Sequence, residues 1–226
     1  MSAQCAVCGA PAPPPFRPPR PEQAPDLDGR PGEPARSTLR RWVARCRSCG
    51  ACGPDLTRLP NVAAKTVDCE AYRAIPSAFL RAAAICRAAG DAAGAAEATL
   101  QAAWEADDAG RDARALRLGA IADWGEANWG EANWGEVGSP DQALRLLDVL
   151  RRAEAFERAQ ARAEALATRP LDEVGVRLLA FQRERIAARD AGRYLISSAL
   201  RPPARTPHVT HGQPAAASFW RRLTGR

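Results

Sequence analysis

Two glycine-tailed cysteine pairs limit what the first quarter of this chain can fold into. They are Cys5-Ala6-Val7-Cys8-Gly9 and Cys46-Arg47-Ser48-Cys49-Gly50. Two residues between cysteines allow a tight turn that presents both sulfurs to one ion. A glycine after the second cysteine lets the backbone take positive φ while its amides point at the sulfurs. Two such knuckles brought together place four thiolates in a tetrahedron at about 2.3 Å from a zinc ion. The spacing therefore predicts a zinc ribbon of short β-hairpins with Cys5, Cys8, Cys46 and Cys49 as ligands to one structural Zn2+. The 37 residues between Cys8 and Cys46 are more than such ribbons usually hold. Closing a long loop adds little further entropy cost, however.

Cys52 opens an alternative. Cys49-Gly50-Ala51-Cys52-Gly53 is itself a knuckle, and Cys46, Cys49 and Cys52 with one remote thiol resemble an iron–sulfur ligand set. In the bacterial ferredoxin run the next cysteine comes four positions on and is followed by proline. Here Gly-Pro-Asp follows Cys52 and the next cysteine is Cys69, so zinc is the preferred metal. Whether Cys52 replaces one of the four ligands stays open at this level. Cys69 and Cys86 fall in the helical part, where free cysteines usually serve as small apolar residues. His208 and His211 form HxxH one residue short of the helical zinc spacing.

Composition separates three regions. The first, 1–60, is the ribbon with an extended or disordered proline-rich insertion at about 11–36, where ten of the nineteen prolines lie. PxxP spacing there also suits an aromatic groove, but a loop inserted in a metal-pinned domain is the simpler account. Trp42, Ala44 and Cys46 alternate with Arg41, Val43 and Arg45, which predicts a short strand entering the second knuckle.

The second region, 61–200, reads as consecutive helices. One starts at Pro76-Ser77 and stops at Gly90-Asp91; a second covers about 92–108, with Ala95, Thr99 and Ala102 on one side; a third covers about 111–124. Ser139-Pro140-Asp141-Gln142 is a strong helix start, and Leu144, Leu147 and Leu150 then form an apolar stripe. Further helices are expected at about 156–168, 171–189 and 191–200. The segment 124-WGEANWGEANWGEVG-138 repeats every five residues, a period that keeps Trp124, Trp129 and Trp134 off a single stripe on any straight element. It reads as a connector between helical hairpins. An aromatic platform for single-stranded nucleic acid would want basic neighbours, and Glu126, Glu131 and Glu136 stand there instead. The third region, 201–226, is expected to be a flexible basic tail.

Charge follows these divisions. Residues 1–68 carry ten basic and six acidic side chains, 69–200 carry 17 and 20, and the tail carries five and none. No apolar run approaches the roughly 20 residues needed to span a bilayer. The N-terminus lacks a signal-peptide pattern, and seven cysteines are too odd a set for a disulfide framework, so a cytoplasmic protein is expected. With two histidines in the whole chain, no Walker motif and no GxGxxG, an enzyme is not expected.

The second CxxCG, followed by GPDL and an AYRA helical start, resembles a group of uncharacterised bacterial proteins that join a zinc ribbon to tetratricopeptide-like helices. In 90-GDAAGAAEATLQAAW-104 the Gly-Asp turn, Ala95 and Ala102 fall where that repeat wants them. Phe156, Ala159 and Ala163 do the same in 156-FERAQARAEAL-166. The bulky positions of the first repeat helix are mostly alanine or cysteine here, and the tryptophan repeat interrupts the array. The expected fold is thus mainly α: a small N-terminal four-cysteine zinc ribbon, then a tetratricopeptide-like helical hairpin array, then a disordered tail. The resemblance implies architecture only; a protein-interaction or scaffold role with an unknown protein partner is expected because stacked helical hairpins leave a concave face that suits peptide binding. The alternative is nucleic-acid binding through Arg40, Arg41, Arg45, Arg47 and the basic tail.

Overall fold

The structure, a computed structural model, describes residues 3–128 and 139–200. It is mainly helical, with a two-stranded antiparallel hairpin beside the cysteine cluster. The chain divides into two compact units: residues 1–19 with 37–128, and residues 20–36 with 129–226. The basic tail at 201–226 and the second and third tryptophan pentapeptides, at 129–138, lie outside the described residues.

In the first unit, β1 (Ala44–Arg45) pairs with β2 (Cys52–Gly53) around the second knuckle. The helices α1 (Ala63–Asp68), α2 (Glu70–Ala74), α3 (Ala78–Ala88), α4 (Ala92–Asp108) and α5 (Arg114–Asn128) follow. Each turn has a local cause. Asp91 accepts a hydrogen bond from the Gly94 amide and caps α4, so the Gly-Asp turn both ends α3 and starts the next helix. Alanine at 95, 96, 102 and 103 lets α4 lie close between α3 and α5, its two packing partners. The buried Thr99 hydroxyl then donates to the carboxylate of Asp123 on α5, which also takes two hydrogen bonds from Arg87 on α3. Trp104 is buried edge-on against Trp42 at 6.3 Å between ring centres.

The ribbon is not a domain apart. Cys5, Cys46, Ala51 and Leu56 share one buried core with Ala63, Val67, Tyr72 and Ile85 from the first three helices. A boundary near residue 60, expected from composition, would cut through that core. A second difference concerns α5, which continues through the first pentapeptide to Asn128 and buries Trp124. A helix accepts WGEAN because one glycine costs about 1 kcal/mol, less than a buried indole returns.

The second unit holds α6 (Pro140–Arg152), α7 (Phe156–Ala167), α8 (Glu173–Ala187) and the short α9 (Ile196–Leu200). Ser139 caps α6 through the Gln142 amide, and Leu144, Leu147 and Leu150 are all buried as expected from their stripe. Phe156, Ala159 and Ala163 form the buried face of α7. The last helix is shorter than the 191–200 expected, because residues 190–195 run as a loop. There the Leu27 amide donates to the Tyr194 carbonyl and the Ile196 amide to that of Pro25.

That pairing holds 25–32, within the proline-rich segment expected to be extended or disordered, as an ordered buried loop. Residues 25–32 are buried. Asp26 accepts from Arg36, Asp28 forms an ion pair with Arg152, and the Asp28 carbonyl accepts from Arg145 Nε at 2.7 Å. Prolines forbid a helix here, but they do not forbid an ordered loop held by buried charge pairs. Burial and the neighbouring Asp28 charge raise the Asp26 pKa above its ordinary 3.8, with Arg36 opposing. A raised carboxyl opposes folding when ionised and is neutral in both states below 3.8, so its penalty fades as pH falls through the raised value. Wild type should accordingly gain stability relative to Asp26→Asn between neutral pH and about pH 4, in paired thermal melts. Parallel pH profiles would contradict this.

Candidate metal centre

The four knuckle cysteines converge. Their sulfurs all lie within 4.8 Å of one another. Cys5 Sγ is 3.9 Å from Cys49 Sγ, and Cys8 Sγ is 3.6 Å from Cys46 Sγ. An ion bound by four thiolates at about 2.3 Å has sulfur–sulfur edges of about 3.8 Å, so the cluster fits a tetrahedral metal with little adjustment.

The two halves of the site repeat one backbone design. In the first knuckle the Gly9 amide donates to the Cys5 carbonyl at 2.9 Å and the Cys5 amide to the Ala10 carbonyl at 2.8 Å. In the second, the Gly50 amide donates to the Cys46 carbonyl at 3.0 Å and the Cys46 amide to the Ala51 carbonyl at 2.8 Å. Both glycines have positive φ, 71° and 76°. An added Cβ at Gly9 would meet nothing within 4 Å, so an alanine there would be strained by its backbone alone. Gly9→Ala should cost about 1–2 kcal/mol, the usual penalty for a left-handed L-residue. A metal-competition titration should show the matching loss of about tenfold in affinity; unchanged affinity would mean that the turn is not held in this form.

The repeat extends to the flanking strands and settles the place of Cys52. Gln4 bridges Pro11 as Arg45 pairs with Cys52, each pair one residue before and six after the first cysteine of its knuckle. Cys52 thus occupies the position of Pro11, on the returning strand, outside the four-sulfur set. Its side chain is fully buried and its sulfur faces the Gly50 carbonyl at 3.5 Å. The Cys52 amide donates to the Tyr72 hydroxyl, which donates in turn to the Gly50 carbonyl. Tyr72 therefore ties α2 to the second knuckle. Nothing in its sequence context marked it beyond the helical AYRA start. Burial raises the pKa values of both Cys52 and Tyr72, which keeps them as neutral hydrogen-bonding groups.

Within the cluster the thiols differ. The hydrogen bond between Cys8 and the Ala10 backbone pulls Cys8 down to about 6, while burial pushes Cys49 up to about 12. A bound cation would favour the thiolate at every position. Cys69 is exposed and Cys86 half-buried, both away from the cluster. Burial and Asp91 hold Cys86 at about 11.

An open groove borders the second knuckle, lined by Arg45, Arg47, Ser48, Arg73 and Arg81 together with Tyr72. Arg45 and Arg47 are two of the arginines picked out from the sequence; Arg73 and Arg81 come from α2 and α3 and are separated from them by more than 25 residues. No protein-family model matches the chain, and no curated protein or solved structure is significantly similar to it.

Proposed function

We propose that the protein is a cytoplasmic protein-interaction or scaffold component in which Cys5, Cys8, Cys46 and Cys49 hold one structural Zn2+. In this reading its helices form a tetratricopeptide-like array that binds a protein partner, and it is not an enzyme. The closure of the four-sulfur set carries the reading. Four thiolates complete a tetrahedron and leave no coordination position for water or substrate, so the ion shapes a surface and performs no chemistry. The position of Cys52 on the returning strand supports zinc over a cluster that would recruit it. Stacked helical hairpins such as α3–α5 suit the display of a binding face. No described helix is long and apolar enough to cross a membrane.

The test is capture of the partner by the tagged full chain in its native cell, after chemical cross-linking and nuclease treatment. One specific protein should be recovered with the wild type and lost with Cys46→Ser. Recovery of no specific protein would sink the reading. The arginine groove favours a second one, nucleic-acid binding by Arg45 and Arg47 with Arg40, Arg41 and the tail. That predicts gel retardation that weakens steeply with salt.

A further inference from the structure

The groove beside the second knuckle contains a cation held in place with no carboxylate to neutralise it. Arg81, on α3, is 8% exposed. Its Nε donates to the Ile75 carbonyl and its Nη2 to the Arg73 carbonyl, both at 2.7 Å, at the end of α2. Its guanidinium lies 5.4 Å from the centre of the Tyr72 ring. The remaining nitrogen, Nη1, faces Gly50, where an added Cβ would stand 3.5 Å from it. Among the described residues no carboxylate pairs with Arg81. Arg45 and Arg47, on either side of Cys46, and Arg73 complete the rim, all three exposed. Arg73 is only loosely matched, by an exposed Asp68 at 3.3 Å.

A divalent ion with four thiolates has a net charge of −2 and offsets part of this positive charge. Four guanidinium groups exceed it, and the excess faces the groove.

We propose that this groove recognises a short acidic segment of a protein partner, with Arg81 as the fixed anchor and Arg45, Arg47 and Arg73 as an adaptable rim. The inference rests on the protein-interaction reading for the existence of the partner. Nη1 of Arg81 remains to donate to one carboxylate oxygen, while the exposed guanidinium forks of Arg45 and Arg47 match a carboxylate in two-point geometry. Arg81 has already lost its rotamer freedom to the α2 carbonyls, so binding costs it little further entropy. Its near-burial also reduces solvent screening of any charge it meets.

A nucleic-acid strand fits less well. Bases need an exposed aromatic face, and Tyr72, the one ring lining the groove among the described residues, is 3% exposed and has its hydroxyl committed to Gly50 and Cys52. The groove is confined to residues around the second knuckle, the end of α2 and Arg81, which suits a short segment better than a continuing strand. Because Arg45 and Arg47 flank a metal ligand, the site also depends on closure of the knuckle.

Fluorescence anisotropy of the zinc-loaded full chain with a fluorescein-labelled octaglutamate peptide at low salt tests this. An oligothymidylate of equal charge and inorganic phosphate serve as competitors. The peptide should bind saturably, more tightly than either competitor. Arg47→Glu and Arg73→Glu should each weaken it by at least about tenfold with zinc content and helicity intact, while the exposed Arg158→Glu leaves it unchanged. Four results would overturn the proposal: no saturable binding; an equal loss with Arg158→Glu; tighter oligothymidylate binding abolished by the same groove variants; or tighter binding of phosphate alone. Partner capture separates the two claims. A groove that binds peptide in a chain that captures no partner sinks the scaffold reading and leaves the site standing. Capture that survives both groove variants removes the groove from partner binding.

Discussion

Serine in place of Cys46 should strip the metal from the protein and unfold much of the body formed by residues 3–19 and 37–128. Structural zinc contributes about 10–16 kcal/mol of apparent binding energy in small zinc-dependent folds. A whole domain is stable by only about 5–15 kcal/mol, so no part of this unit has enough in reserve to replace it. The loss would not stop at the knuckles. Cys5 and Cys46 are packed in the same buried cluster as Val67, Tyr72 and Ile85, and the Ala6 amide is bonded to the Leu56 carbonyl just before α1. Without a bound ion, four sulfurs would lie within 4.8 Å of one another with no shared ligand, beside a groove rich in arginine. Circular dichroism with a chelator, or with the serine variant, should show a fall of at least about 20 °C in the midpoint of this unit, since 1 kcal/mol moves a body of about 100 residues by roughly 4 °C or more. A variant that melts with the wild type would show that the cluster is ornamental to the fold.

The second large effect is expected at Arg151 in the other unit. This side chain is fully buried and binds Asp148 Oδ1 at 2.6 Å, the Gly192 carbonyl at 2.8 Å and the Asp190 carbonyl. Arg151→Ala leaves a buried carboxylate and two carbonyls without their donor. Breaking such a pair from one side costs about 3–5 kcal/mol, far more than the pair itself is worth. Burial already pushes the Asp148 pKa upward, with Arg151 opposing, so losing Arg151 should raise it further. The damage should therefore shrink as pH falls, because protonation neutralises the stranded group. The double variant Asp148→Ala, Arg151→Ala should cost clearly less than the two single losses added together. Strict additivity in a double-mutant cycle would contradict the coupling.

How much of this was legible in the sequence depended on how local each cause is. The knuckles were readable because spacing and one glycine determine a turn of five residues. Ser139-Pro140, the Gly90-Asp91 turn and the Leu144–Leu147–Leu150 stripe were readable for the same reason. Cys52 was left open because its spacing alone is as good as that of Cys49; only the register of β1 on β2 places it on the returning strand. The ordering of 25–32 was hidden because it depends on partners more than a hundred residues away, Arg145, Arg152 and Tyr194. Proline content says what such a segment cannot be, and says nothing of what buries it. Tyr72 and Arg81 were missed in the same way, since an arginine in an alanine-rich helix reads as solvated until a groove surrounds it.

Metal content of the purified chain, measured by native mass spectrometry beside Cys8→Ser and Cys52→Ala, tests the central claim most directly. The account predicts one zinc per chain in the wild type, none in Cys8→Ser, and one retained in Cys52→Ala. Loss of the metal with Cys52→Ala, its retention with Cys8→Ser, or iron with absorbance near 400 nm would contradict it.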